Sequence, residues 1–147
     1  YVEAHSNLGN ILRDLGQFKE AELYTRKAIE LNPDFAIAHS NLGNILGDLG
    51  QLKKAEISCQ KAIELNPDLA EAYYNQGIIF SRLNKIDESI VSYKKAIEFQ
   101  KDHKDAIAAM GKSMTLKGNY KEGLQKLKEG YGTIIFDHVT SEMRISS

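Results

Sequence analysis

Apolar residues recur along the chain with the spacing of one helix face. Leu8, Ile11, Leu12 and Leu15 stand at i, i+3, i+4 and i+7, and Leu42, Ile45, Leu46 and Leu49 repeat the set. That spacing is the stripe of an amphipathic helix. A third copy reads Gln76, Ile79, Phe80 and Leu83, and a fourth Met110, Ser113, Met114 and Lys117. The stripe weakens towards the C-terminus, as suits a terminal repeat with a wetter outer face. Gly16, Gly50, Asn84 and Gly118 follow these segments. Each is expected to end its helix in the left-handed conformation that Gly tolerates best and Asn next. A second helix then carries Phe18, Ala21, Ala28, Ile29 and Leu31, matched by Leu52, Ala55, Ala62, Ile63 and Leu65, and by Ile86, Ser89, Ala96, Ile97 and Phe99. Gly9, Gly43, Gly77 and Gly111 face this track of small residues, so the two helices of each pair are expected to approach closely. Asn32-Pro33-Asp34 and Asn66-Pro67-Asp68 stop one pair and start the next, with the Asp as the expected cap. The junction at Gln100-Lys101-Asp102 has lost its Pro and keeps Asp102 as a cap.

The whole pattern has one period. Residues 2–35 and 36–69 are identical at 24 of 34 positions, and a fixed period of that length marks a solenoid rather than a single-core domain. Leu42, Gly43, Gly50, Ala55, Ala62 and Pro67 carry a signature that resembles the tetratricopeptide repeat, with His39 where that family usually has a large aromatic. The resemblance implies an all-α, right-handed α-solenoid of about four helix-turn-helix repeats: 2–35, 36–69, 70–103 and a degenerate fourth at 104–131, then a tail or cap at 132–147. In that tail Phe136, Val139 and Met143 have helical spacing while Thr133, Ile134 and Ile135 favour a strand, so both conformations stay open. It either folds back over the last apolar face, pairs with a second chain, or leads into a further domain. Tyr1 stands in register with Phe35 and Leu69, which is expected of a piece cut from a longer array.

Charge narrows the partners. Nineteen basic against twenty acidic residues give a formal net charge of −1, without the positive field of a nucleic-acid or anionic-membrane binder. The first residues lack the layout of a signal peptide, and a single cysteine, Cys59, fits a reducing compartment. A cytoplasmic protein is expected.

Catalytic chemistry is hard to find. The sequence has no metal-spaced Cys/His cluster, no phosphate-cradling Gly-Lys-Ser/Thr loop and no nucleophile elbow, so no catalytic residue, metal or cofactor is assigned. His5 and His39 share one repeat position, continued by Tyr73, and read as packing residues; His103 and His138 stand alone. Gly43, Gly47 and Gly50 superficially resemble a phosphate loop, but no strand precedes them. Cys59, beside Ala55 and Ala62, reads as a small core residue.

The informative positions recur at 34 without being needed for the fold. Asn7, Asn41 and Asn75 each stand one residue before a core position, and Ala109 ends the series. In the family the first helices line the concave surface, and this row resembles the asparagine ladder of the O-linked N-acetylglucosamine transferase superhelix, which implies amides that hold a peptide's main chain. A primary amide offers both donor and acceptor. The rival reading has the same amides bridging neighbouring helices or facing water. Asn10 and Asn44 form a second row, and Tyr74, Ile78 and Arg82 complete the expected peptide site. Glu3, Asp14, Asp48, Glu71 and Asp105 against Arg13, Arg82 and Lys112 leave this face mildly acidic, which favours a neutral to slightly basic ligand. The family's clamp for acidic chaperone tails uses Lys, Asn, Asn, Lys and Arg. Here those positions hold Ser6, Asn10, Asn41, Glu71 and Asn75, so an acidic tail would be repelled.

The sequence thus reads as a protein-interaction scaffold that binds an extended peptide in its concave groove. Two alternatives stay open: the substrate-recognition arm of a larger enzyme such as a glycosyltransferase, and a self-assembly element that forms homo-oligomers through its end faces and tail.

Overall fold

The computed structural model describes residues 1–137 and 142–146, the side chains only as far as Gly132. Eight helices follow one another as antiparallel pairs: α1 Val2–Asp14, α2 Phe18–Leu31, α3 Ala36–Asp48, α4 Leu52–Leu65, α5 Ala70–Arg82, α6 Ile86–Phe99, α7 Lys104–Leu116 and α8 Tyr120–Tyr131. Two short strands, β1 Thr133–Asp137 and β2 Glu142–Ser146, close the chain as an antiparallel hairpin with Ile135 opposite Arg144. The tail is therefore strand where the sequence left helix and strand open. His138 and Val139 lie outside the described residues.

Tight turns set the pairing. Gly16, Gly50 and Gly118 have φ of 76°, 73° and 94°, and Asn84 takes the same left-handed region at 59°. Around Gly50 the Gln51 amide donates back to Leu46 O at 2.8 Å, the six-residue closure that satisfies a helix's last carbonyls. The helices of a pair then meet at a glycine. A Cβ added at Gly43 would lie 2.5 Å from Cys59 Sγ, and one at Gly77 would lie 2.5 Å from the Tyr93 ring.

The junctions correct one expectation. Neither Asp34 nor Asp68 caps the following helix, because each stands one residue too early; Phe35 and Leu69 occupy the cap positions. The polar work falls to the asparagines, whose Oδ1 atoms accept from the backbone amides of Asp34 at 3.1 Å and Asp68 at 3.2 Å. At the third junction His103, not Asp102, holds the cap position, and its Nδ1 accepts from the Ala106 amide at 3.3 Å.

Pairs stack so that each second helix packs on the first helix of the next pair. One core gathers Leu42, Leu46, Ala55, Cys59 and Ile79, and another Ile90, Tyr93, Met110 and Met114. Leu8, Ile11 and Leu15 repeat the positions of Leu42, Ile45 and Leu49 yet are exposed, since no described helix packs on that side of α1. The first helices also touch one another, α1 with α3, α3 with α5 and α5 with α7, whereas no comparable contact joins α2 to α4 or α4 to α6. First helices therefore line the closed, inner side of the stack and second helices splay on the outer side.

Candidate functional site

The inner face is built from seams between consecutive first helices, and offsets of 34 or 35 residues run through it. Asn41 Nδ2 donates to Ser6 Oγ at 2.9 Å, and Asn75 Nδ2 donates to Ser40 Oγ at 3.1 Å. Asn41 is 7% exposed and Asn75 1%. This corrects the ladder of three available amides. Two of the three are spent bridging helices, and a ligand would reach either only by breaking that bridge. Asn75 Oδ1 is left buried and without a partner among the described residues. Asn7, with no helix packed on that side among the described residues, is exposed.

The third seam replaces the polar pair as a unit. Where the register would place another Ser and Asn stand Tyr74 and Ala109, both packed against the cluster of Ile90, Tyr93, Met110 and Met114. Tyr74 is half-buried, with its ring centroid 4.7 Å from that of His103, whose Nε2 lies 3.5 Å from Glu71 Oε2. Burial pushes the Tyr74 hydroxyl up to about 12, helped by the neighbouring charges of Asp105 and Glu71 and by Tyr131, and opposed by Arg13.

Further along the inner face, Asp48 sits between two cations. Arg13 Nε donates to Asp48 Oδ2 at 2.9 Å; Arg82 reaches Oδ1 at 3.3 Å through one nitrogen and Gly47 O at 2.8 Å through the other. Arg82 is thus partly engaged with the fold, although its side chain stays 45% exposed. Asn10, Asn44 and Ile78 share one repeat position and are all half-buried. The structure therefore brings Asn10, Asn44, Ile78, Tyr74 and Arg82 to the accessible part of the inner face, and sets Asn41 and Asn75 into its seams. The sequence carried a signal for the seams that the ladder reading missed: Ser6 and Ser40 recur immediately before Asn7 and Asn41.

Elsewhere the groups with chemical potential are quiet. Cys59 is fully buried, and that burial pushes its thiol up to about 12, so it stays protonated and unreactive at neutral pH. His39 Nε2 lies 2.8 Å from Pro33 O and His5 Nδ1 2.8 Å from Tyr1 O, so both rings bond to local backbone. Among the described residues no group of three or more His, Cys, Asp and Glu is placed to hold a metal, and no helix is long and apolar enough to cross a membrane.

Comparison with known proteins agrees with this architecture. Curated protein sequences give no significant match. A solved structure of MamA superimposes with a TM-score of 0.75 at 27% identity, covering 88% of this chain and 76% of that one. A second MamA structure gives 0.74 at 27% identity, over 88% and 71%. The first TPR of Spaghetti (RPAP3), solved with the HSP90 peptide SRMEEVD, superimposes at 0.73 with 21% identity, over 80% and 93%; at that identity the likeness is one of fold alone. The tetratricopeptide repeat family model matches residues 2–35, 36–69 and 70–103 in three consecutive copies. With most of its length matched in unbroken register, and the helix pairs stacked as that register requires, the chain belongs to the tetratricopeptide repeat family and is a protein-interaction scaffold.

Proposed function

We propose that this scaffold binds an extended, neutral to slightly basic peptide along the inner face. The observation that carries the reading is the row Asn10, Asn44 and Ile78. These are repeat-equivalent, half-buried side chains on adjacent first helices, and the fold uses neither amide in a hydrogen bond among the described residues. An amide that is neither fully solvated nor internally paired is a suitable partner for a peptide main chain, because it offers a donor and an acceptor on one group. Tyr74 and Arg82 flank the row towards the C-terminal repeats.

Charge sets the ligand's sign. Arg13 and Arg82 together offset Asp48 and Asp14, the latter 3.6 Å from Arg13, which leaves Glu3, Glu71 and Asp105 against Lys112, whose Nζ lies 5.1 Å over the Tyr131 ring. An acidic peptide would meet Glu71 and Asp105 near its C-terminal half and be disfavoured. The test is a peptide-array screen followed by titration of the best neutral or basic binder against Asn10→Ala with Asn44→Ala. Affinity should fall by about tenfold, the loss of one or two main-chain hydrogen bonds. Unchanged affinity with helicity intact would remove the row from the account.

A further inference from the structure

The first and last helices carry the two halves of a joint that the chain already makes inside itself. That joint forms between α2 and α3, between α4 and α5 and between α6 and α7, always with a second helix packed on the first helix of the next pair. On its receiving side α3 presents Ala38, Leu42, Ile45 and Leu49, spaced i, i+4, i+7 and i+11 along one helix face. On α1 the same positions hold the same four residue types, Ala4, Leu8, Ile11 and Leu15. Only their surroundings differ. Leu42 and Ile45 are 5% and 0% exposed, whereas Leu8 and Ile11 are 37% and 57% exposed. Ala38 is buried and Leu49 half-buried, while Ala4 and Leu15 are both exposed.

The other half is on α8. In the last internal joint α6 packs Ile86, Ile90 and Ile97 against the cluster that holds Met110 and Met114 of α7. One period of 34 residues further on, α8 carries Tyr120, Leu124 and Tyr131 at those three positions. Tyr120 and Leu124 are exposed and Tyr131 is half-buried. The β1–β2 hairpin leaves α8 from its C-terminal end, after Tyr131, and leaves the apolar side chains of its first two turns uncovered. Lys128 stands where α2 has Arg26 and α6 has Lys94, so a cation at this position is already compatible with the joint.

We propose that the occupant of both faces is a second copy of this chain, joined head to tail with α8 of one copy on α1 of the next. The self-similarity of the chain selects that partner. The α1 face is a receiving surface whose fit to a second helix is realised at α3 with the same side chains, and α8 is a second helix that keeps apolar residues where α6 uses them for this purpose. Removing the exposed parts of Leu8, Ile11, Leu15, Tyr120 and Leu124 from water drives the contact. The two surfaces are different, so the contact is heterologous: each copy added leaves one α1 face and one α8 face free, and the stack grows instead of closing as a pair. One helix face on another is smaller than a standard interface of about 800 Å² per partner, which places each step at a dissociation constant between about 10 µM and about 1 mM. The end faces lie along the stacking axis and leave Asn10 and Asn44 accessible, so this association is independent of peptide binding on the inner face.

The test is sedimentation equilibrium of the 147-residue chain from about 10 µM to about 1 mM. It is run on the wild type, on Ile11→Glu with Leu15→Glu, on Tyr120→Glu with Leu124→Glu, and on an equimolar mixture of the two variants. All four substituted residues are exposed, and far-UV circular dichroism checks that helicity is kept; Gln at the same positions replaces Glu in any variant that loses it. The wild-type weight-average mass should rise with concentration past that of two 16.5 kDa chains without reaching a plateau. Each variant alone should weaken self-association by at least about tenfold. The mixture should form a heterodimer and stop there, because the intact α8 face of one variant meets the intact α1 face of the other, and its dissociation constant should equal that of the wild-type step. A wild type that stays monomeric throughout overturns the proposal, as does a mixture that stays monomeric while the wild type associates. Dimers of the Tyr120, Leu124 variant alone would put α1 against α1 and overturn the head-to-tail order. Association of both variants as strong as that of the wild type would move the contact to the tail or the inner face and overturn it equally.

Discussion

Gly43→Ala, made with and without Cys59→Ala, tests whether the close approach within each helix pair is what the glycine track serves. The added methyl would sit 2.5 Å from Cys59 Sγ and 3.3 Å from Ala55 O and Cys59 N. The sulfur contact lies well inside van der Waals range, and Cys59 is itself fully buried, so it has no free direction in which to turn. Overpacking of one methyl group costs about 1–3 kcal/mol, while replacing Gly by Ala in a helix interior returns about 1 kcal/mol of propensity. Gly43→Ala alone is therefore expected to destabilise by about 1 kcal/mol. Cys59→Ala alone removes a buried sulfur and should cost about 1 kcal/mol in lost packing. Combined, the new methyl occupies the space the sulfur leaves. The double variant should be about as stable as the wild type, a coupling of about 2 kcal/mol in its favour. Urea unfolding by far-UV circular dichroism reads this, with tyrosine fluorescence as a second probe because repeat arrays need not unfold in one step. If Gly43→Ala costs the same in both backgrounds, the sulfur does not limit the approach and the packing account of the glycine track is wrong.

Three other outcomes are expected. Asn41→Ala should lower stability by about 1 kcal/mol, because it strands the buried Ser6 hydroxyl, yet leave inner-face peptide affinity unchanged; a loss of affinity at constant stability would return Asn41 to the ligand site. Asp48→Ala should destabilise more than Arg13→Ala or Arg82→Ala, by about 1 kcal/mol, since it strands two guanidiniums, and the difference should shrink in high salt because the arginines are partly exposed. Stability should hold flat to about pH 9 and then fall. The Cys59 thiol is raised from 9.0 to about 12 and the Tyr74 hydroxyl from 10.0 to about 12, so above those lower values the unfolded chain loses protons that the folded chain keeps. Urea midpoints between pH 7 and pH 11 measure this, and a Cys59→Ala variant should begin its decline later.

The fold was legible because the chain repeats itself. Helix pairs, their left-handed turns at Gly16, Gly50, Asn84 and Gly118, and the glycine contacts all lie within one repeat, where spacing along the sequence and distance in space are linked by helix geometry. The misplaced caps show how fine the local reading must be. Asp34 and Asp68 are good capping residues one position from where a cap is needed, and a helix start shifted by one residue turns the side chain away from the free amides. His103 escaped notice because histidine caps less often than Ser, Thr, Asp or Asn, although it stands at the right position.

The asparagine row shows what the repeat could have disclosed and what it could not. Whether Asn41 faces a groove or a seam depends on how one repeat is rotated against the next, and no spacing within a repeat determines that angle. The repeats are nevertheless an alignment of the chain with itself, and a seam leaves a trace in that alignment. A bond from residue i to i+35 predicts that the two positions change together in the last seam. They do: Ser6 with Asn41 and Ser40 with Asn75 are followed by Tyr74 with Ala109, a polar pair exchanged for an apolar one in a single step. A ligand-contacting amide would owe nothing to the serine of the preceding repeat. The joint change marks Asn41 and Asn75 as parts of the joint between repeats.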